Sequence, residues 1–402
     1  MARMTGPDRE RAAGAALLAL VAACGEAGGP LAADDAAGAA PTADWPSYRG
    51  DPALTGVAPG ALPEALELRW VFHAAQAIAS SPVVAEGRVF VGSDDGRLYA
   101  VDFESGEELW SYATEDMIEA PPLVHQGTVY VGSDDYNLYA LDAASGELRW
   151  KLATDDKIVG AASPVRGPDG STRIVVGSYD GSLHCVDAAS GGELWFYATD
   201  NYVNGTPAVL GERVVFGGCD AALHVVSAAT GAGLGKLELG PDCHVAGSVA
   251  LHEGRVYFGH YGNQFVCVDL EANELVWTYA GEQQPFFSSP AIGADRVVFG
   301  GRDKKLHCAR LSDGEPLWTF PTRRKVDGSP VICGDKVVFG SGDGRLYVLR
   351  LADGSEVWSY DVGQSIFSSP GVAHGVVLVG CDDGGLYAFG APRDPGGVRK
   401  GG

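Results

Sequence analysis

Hydrophobic residues come in short bursts along this chain, and from about residue 80 to about 390 the bursts keep one spacing. In the first such stretch "SPVVAEG", "RVFVGSD", "GRLYAVD" and "EELWSYA" are divided by Glu86-Gly87, by Asp94-Asp95-Gly96 and by "FESG". Short runs rich in Val, Leu, Tyr and Phe, broken by a glycine-bearing turn about every ten residues, predict antiparallel strands joined as hairpins. No segment with helical period follows Cys24.

The strands group in fours. Trp70, Trp110, Trp150, Trp195, Trp277, Trp318 and Trp358 mark a period near 40 residues, and Gly235 falls where one tryptophan is missing, so there are eight marker positions. Units begin at Pro82, Pro122, Pro164, Pro207, Val249, Pro290, Pro330 and Pro370. A four-stranded unit with two apolar faces needs neighbours on both sides, and radial stacking supplies them. The last unit stops at Phe389-Gly390 without its tryptophan strand, while an orphan, "LELRWVFHA", precedes the first. The orphan is expected to complete the last blade and hide both edges. The predicted fold is all-β: an eight-bladed β-propeller of four-stranded antiparallel blades over residues 66–390, closed by an N-terminal strand.

Composition narrows what such a ring could bind. With 52 acidic against 29 basic residues the formal charge is −23, which repels nucleic acid and anionic membrane surfaces. At the N-terminus, arginines 3, 9 and 11 precede twelve small or apolar residues, Ala12 to Ala23, and then Cys24. That run is too short to span a bilayer, and Val21-Ala22-Ala23-Cys24 resembles the lipobox of bacterial lipoproteins, whose cysteine is acylated after cleavage. An ordinary secretory signal is the competing reading. The expected organisation is a signal peptide at 1–23, lipid attachment at Cys24, a flexible tether at 24–44 too poor in apolar residues to fold, a lead-in at 45–65, the propeller, and a disordered tail at 391–402.

Aligned units turn single residues into columns. One acid of the knot recurs as Asp95, Asp135, Asp180, Asp220, Asp303, Asp343 and Asp383, with Gly262 the exception. A catalytic acid occurs once, so this one is expected to cap the hairpin between second and third strands. Gly106, Gly146, Gly231, Gly314 and Gly354 form a turn column in which Asn273 substitutes, as a left-handed backbone allows. Cys185, Cys267 and Cys308 stand at the small core position of Ala100, Cys333 is placed in a turn, Cys219 and Cys381 after second strands, and Cys243 before the fifth unit. His184, His224 and His307 replace Tyr99. "PDCH" with His260 has no metal-site spacing, and no CxxC is present, so no metal is expected.

"LYALDAASGELRW" and "LHCVDAASGGELWFY" resemble the pyrroloquinoline-quinone-type propeller repeat, with its tryptophan-docking motif, and "WPSYRGDPALTG" from Trp45 resembles the lead-in of such exported proteins. The resemblance implies one of two functions: a quinoprotein dehydrogenase, or a BamB-like lipoprotein of outer-membrane β-barrel assembly, which is non-catalytic. A dehydrogenase needs pyrroloquinoline quinone, a calcium cage and commonly a vicinal cysteine pair, and the chain has no Cys-Cys. The expectation is therefore a non-enzymatic, lipid-anchored scaffold without cofactor, facing the periplasm from the outer membrane and binding an envelope protein, with a β-barrel assembly component as the implied partner. A surface carbohydrate-binding propeller, with Tyr202, Phe287 and Phe367 stacking on sugars, is a further alternative.

Partner contacts are expected in the loops entering the innermost strands, at the mouth of the axial channel. Three positions before each unit's proline these carry Ala79, Glu119, Ala161, Asn204, Ala246, Phe287, Asp327 and Phe367. Phe286, Phe287 and Phe367 could form an apolar lip. Ten basic residues gather in two blades: Arg302, Lys304, Lys305, Arg310, Arg323, Arg324, Lys325, Lys336, Arg345 and Arg350. They could orient an acidic partner or merely compensate neighbouring acids. The candidate set is Glu119, Tyr202, Asn204, His244, Phe286, Phe287, Arg323, Arg324, Lys325, Asp327 and Phe367.

Overall fold

The computed structural model describes residues 44–392; the expected signal peptide, Cys24, the tether up to residue 43 and the tail from 393 lie outside them. Among the described residues there is no helix, and the strands form eight sheets. Blade 1 runs Val83–Ala85, Arg88–Gly92, Arg97–Asp102 and Glu108–Ala113, each strand antiparallel to the last. Blades 2 to 7 repeat the order over residues 123–153, 163–198, 208–238, 250–280, 291–321 and 331–361. Blade 8 has three strands from 371–390, and its outer strand is Glu67–His73, antiparallel to Gly385–Gly390 with Trp70 opposite Ala388. The innermost strand of blade 1 meets those of both blade 2 and blade 8, which closes the ring.

The tryptophan column fastens seven of the eight blades to the next, blade 4 with Gly235 being the exception. Trp70 Nε1 donates to the Phe103 carbonyl at 3.0 Å, Trp150 to Ala188 at 3.0 Å, and Trp277 to Leu311 at 3.1 Å, in each case one blade further on. A register shift just before the tryptophan recurs in the outer strands, and such bulges re-aim a side chain. The indole lies against the turn glycine of the next blade: a Cβ on Gly146 would come within 2.7 Å of Trp110. The turn glycine thus answers two demands, a positive φ and room for an indole. Asn273, at φ 54°, meets the first, and it escapes the second because the residue that would dock there is Gly235.

The acid column is equally paired. Asp95 accepts the Arg97 amide across its own turn at 3.0 Å, as a hairpin cap should, but also the Ala75 amide from the loop leaving the preceding blade at 2.9 Å and the Tyr99 hydroxyl at 2.7 Å. Asp135 repeats this with Asn137, Glu115 and Tyr139. His184, His224 and His307 take the tyrosine's place and bond Asp180, Asp220 and Asp303 at 3.0–3.1 Å. Blade 5, whose acid is Gly262, has Val266 where the others have Tyr or His. Acid and partner are lost together.

Two placements made from the repeat shift. Blade 3's innermost strand, Ser163–Arg166, begins at the position of Val83, so Pro164 stands level with Val84 and not with Pro82. The proline that marks unit starts elsewhere is displaced by two residues here, and Ala162 holds the position of Pro82. Cys333 is not in a turn; it ends the innermost strand Val331–Cys333 of blade 7 and is buried. All seven cysteines of the described residues are free, and burial pushes the Cys185 and Cys308 thiols up to about 12.

Candidate functional site at the channel mouth

The lead-in passes around the axis and floors the channel. Trp45 bridges to Val84 of blade 1. The carbonyls of Pro46, Pro52, Ala53, Thr55 and Gly56 then accept the amides of Val124, Val209, Leu251, Ile292 and Ile332, which share one position of the innermost strands of blades 2, 4, 5, 6 and 7. Blade 3 is passed without such a bond because its residue at that position is Pro164, which has no N–H. Val57–Ala58 ends the circuit as a parallel fifth strand on blade 7. Arg49 is fully buried in this segment and donates through Nη2 to the Pro290 and Pro330 carbonyls at 2.7 and 2.6 Å. Burial pushes its pKa down to about 10, so it stays charged at neutral pH.

Above this floor a belt of hydroxyls links blades. The amide of one blade donates to the Ser or Thr hydroxyl of the next in six successive steps: Ala161 to Thr206, Thr206 to Ser248, Ser248 to Ser289, Ser289 to Ser329, Ser329 to Ser369 and Ser369 to Ser81. The belt stops at blades 2 and 3 because the equivalent residues, Pro121 and Ala161, have no hydroxyl. Tyr48 of the lead-in rises into the belt, its hydroxyl 3.1 Å from Ser289 Oγ and 3.0 Å from Ser329 Oγ. What remains is a blind cup of about 250 Å3, with Tyr48 among its lining and Tyr179, Asn204, Phe287, Asp327 and Phe367 above.

Three columns build the rim. One is the loop position expected to face the channel, although in blade 3 the two-residue displacement puts Val159 there and buries Ala161. The second is the residue just before the structural acid: Asp94, Asp134, Tyr179, Cys219, Tyr261, Arg302, Gly342 and Asp382. In every blade its amide donates to the carbonyl of the third, a loop residue: Ala77, Met117, Lys157, Tyr202, His244, Pro285, Lys325 and Ser365. The backbone is uniform and the side chains are not.

These side chains sort by charge. On blades 8, 1 and 2, burial raises the pKa values of Asp382, Asp94, Glu119 and Asp134 above the ordinary carboxylate range, and Asp94 is raised further by Asp382 and Asp134. The Oδ1 atoms of Asp94 and Asp134 are buried without a partner. Lys157 reaches Asp134 Oδ2 at 3.3 Å and lies 4.9 Å from the centre of the Tyr179 ring. From there the rim is aromatic and cationic. Tyr179 stacks on Tyr202 at 4.7 Å, Tyr261 packs on Phe287 at 4.4 Å, Arg302 covers Phe287 at 3.9 Å and Lys325 covers Phe367 at 4.7 Å. Both cations also bind Asp327, at 3.1 and 2.6 Å.

Of the candidate residues, Glu119, Tyr202, Asn204, His244, Phe287, Lys325, Asp327 and Phe367 come together at this mouth, with His244 Nδ1 against the Cys219 carbonyl. Phe286 does not. It occupies the buried column of Ile78 and Ile118 and packs edge-on to Phe299 and His307, because each rim loop must turn one apolar residue between blades. The basic cluster is largely compensated: Lys305, Arg310, Lys336, Arg345 and Arg350 pair with Glu282, Asp313, Asp335, Asp361 and Glu64. Among the described residues Lys304, Arg323 and Arg324 have no such pair, and they are exposed. His260 is buried, which pushes its pKa down to about 4, and its Nδ1 accepts the Gly262 amide. Among the described residues no group of three or more His, Cys, Asp or Glu is placed to hold a metal ion.

Eight such blades with tryptophan docking define a PQQ-like β-propeller. The family described as outer membrane protein assembly factor BamB matches residues 63–168, 160–234 and 219–391, the whole ring, and the chain belongs to that family. BamB from Moraxella catarrhalis is similar in structure, with a TM-score of 0.69 at 20% identity over 82% of this chain and 99% of that one. Quinohemoprotein alcohol dehydrogenase from Comamonas testosteroni gives 0.74 at 16% identity over 89% and 82% of the two chains. The computationally designed Ika8 protein gives 0.69 at 18% identity over 79% and 97%. At these identities the likeness is one of fold. Among curated proteins nothing matches the sequence.

Proposed function

We propose that this protein is a non-catalytic scaffold of the bacterial cell envelope, held to the outer membrane by a lipid on Cys24, whose channel mouth docks a protein partner of the β-barrel assembly machinery. One observation carries the reading. The channel is floored by Tyr48 and Arg49, and the side chains that differ from blade to blade are gathered on the open rim above. Such a surface suits contact with another protein, and the uncompensated Lys304, Arg323 and Arg324 beside it favour an acidic patch on the partner.

The donor set argues in the same direction. Pyrroloquinoline quinone is a flat tricarboxylate that needs cationic partners beside a calcium cage. Here Arg302 and Lys325 are already committed to Asp327, and no carboxylate group suited to a metal ion lies among the described residues. Sugar stacking is disfavoured because Arg302 covers a face of Phe287 and Lys325 a face of Phe367.

Affinity capture of the lipidated protein from native membranes tests the reading. Recovery of a β-barrel assembly protein that is lost with Arg323→Glu/Arg324→Glu is the expected result, and its absence with the native chain removes the assembly role. A visible spectral shift on adding the quinone with calcium would overturn the non-catalytic assignment.

A further inference from the structure

The outer strand of each blade is a sheet edge with unpaired backbone groups, and seven of the eight carry a guard on the row facing the previous blade. Blade 2 has Arg149 and Lys151, blade 4 has Lys236 and Glu238, blade 6 has Thr319 and Pro321, and blade 7 has Ser359 and Asp361. In blade 1 Ser111 is capped by Arg97, in blade 5 the row holds Thr278, and in blade 8 it holds Arg69 and His73. Charges, polar groups and prolines at such edges prevent strands of other molecules from pairing with them.

Blade 3 has no guard. Its outer strand Glu193–Ala198 turns Leu194, Phe196 and Ala198 to that side, while Trp195 and Tyr197 face blade 4. Phe196 is 61% exposed, the most exposed large hydrophobic residue among those described, and Leu194 is 47% exposed. Glu193, whose Oε1 lies 2.7 Å from His184 Nδ1, and Asp200, 3.7 Å from Lys236 Nζ, still stand exposed at the two ends of this row. The strand is last in its sheet, with only Ser182–Asp187 beside it.

We propose that this edge is a strand-docking site, which takes an extended peptide segment of a partner protein carrying apolar residues at alternate positions and basic residues at its ends. The open edge favours a strand, since a second backbone in register can replace the water on its whole row of N–H and C=O groups at once. Leu194 and Phe196 specify apolar side chains two residues apart, and Glu193 and Asp200 specify the flanking charge. This inference does not rest on the mouth as a docking surface, because the strand lies on the outer wall.

The probe is a fluorescent synthetic peptide, Lys-Lys-Val-Thr-Val-Thr-Val-Lys-Lys, titrated against the native chain by anisotropy, with amide exchange read in parallel. Binding in the micromolar range that slows exchange across residues 193–198 is expected, and Phe196→Glu, on an exposed position, should weaken it at least tenfold. Val357→Glu on the guarded edge of blade 7 should leave it unchanged. Absence of binding, equal binding by Phe196→Glu, or protection on another blade would overturn the proposal. So would a concentration-dependent dimer of the native chain abolished by Phe196→Glu, which would make the edge a self-pairing surface.

Discussion

Two neighbouring acids with one sequence context do opposite work, and the difference is measurable. Asp135 is pushed up by burial but pulled further down by the Glu115 amide, the Tyr139 hydroxyl and Asn137, so it sits below its ordinary value; Asp220 and Asp383 are also depressed, through His224 and Tyr387. A group with a depressed folded pKa contributes stability above its unfolded pKa and loses it as pH falls through the folded one. Asp94, Glu119, Asp134 and Asp382 are raised, so the folded protein binds their protons first and stability rises as pH falls through their window. The urea midpoint should therefore climb as pH drops from neutral toward the ordinary carboxylate range and fall below it, and Asp134→Asn should flatten the climb. Asp135→Ala should cost about 1–3 kcal/mol by stranding the Tyr139 hydroxyl and the Glu115 amide. Gly262→Asp in blade 5 should bring no gain, because a Cβ there would come within 2.7 Å of the His260 ring and 2.8 Å of Cys243 Sγ, and Val266 has no group to meet the carboxylate.

At the scale of the blade, what the sequence disclosed was what it repeats. Eight Trp-spaced units made strand order, ring closure and the acid column readable, since a feature present in seven copies identifies itself as structure. Register within one unit was less secure: Pro164 looked like a unit start, and only the strand pairing shows it two residues further in. Couplings between columns were legible too, had columns been read in pairs. Gly235 and Asn273 depart from the pattern in adjacent blades because an indole and a side chain beyond Cβ cannot share one turn. This predicts a thermodynamic cycle. Gly146→Asn, under the Trp110 indole, should destabilise by about 1–3 kcal/mol through overpacking. Gly235→Trp alone should gain little against Asn273, whereas Gly235→Trp with Asn273→Gly should rebuild the docking contact, with a coupling of about 1 kcal/mol or more in thermal unfolding. Additive effects would show that the two departures are unrelated.

For the whole molecule, the decisive segment is the one with no sibling. Residues 45–58 occur once, so no column could reveal that they circle the axis, and "WPSYRG" offered only a resemblance. Chain order hides the contact further: Tyr48 lies 241 and 281 residues from the serines it bonds. Yet this segment decides whether the ring has a channel or a cup. Its carbonyls satisfy inner-strand amides of six blades, and Arg49 ties it to the Pro290 and Pro330 carbonyls. The chain leaves no slack there, since a Cβ on Gly56 would collide with the Arg49 guanidinium. Arg49→Ala empties that space and strands two buried carbonyls, at an expected cost of about 2–4 kcal/mol. If the guanidinium holds the floor, amide exchange should then quicken together at Val124, Val209, Leu251, Ile292 and Ile332, while the amides under the tryptophan column keep their native rates. Acceleration confined to Ile292 and Ile332, nearest the lost bonds, would mean that the backbone bonds seat the segment without it.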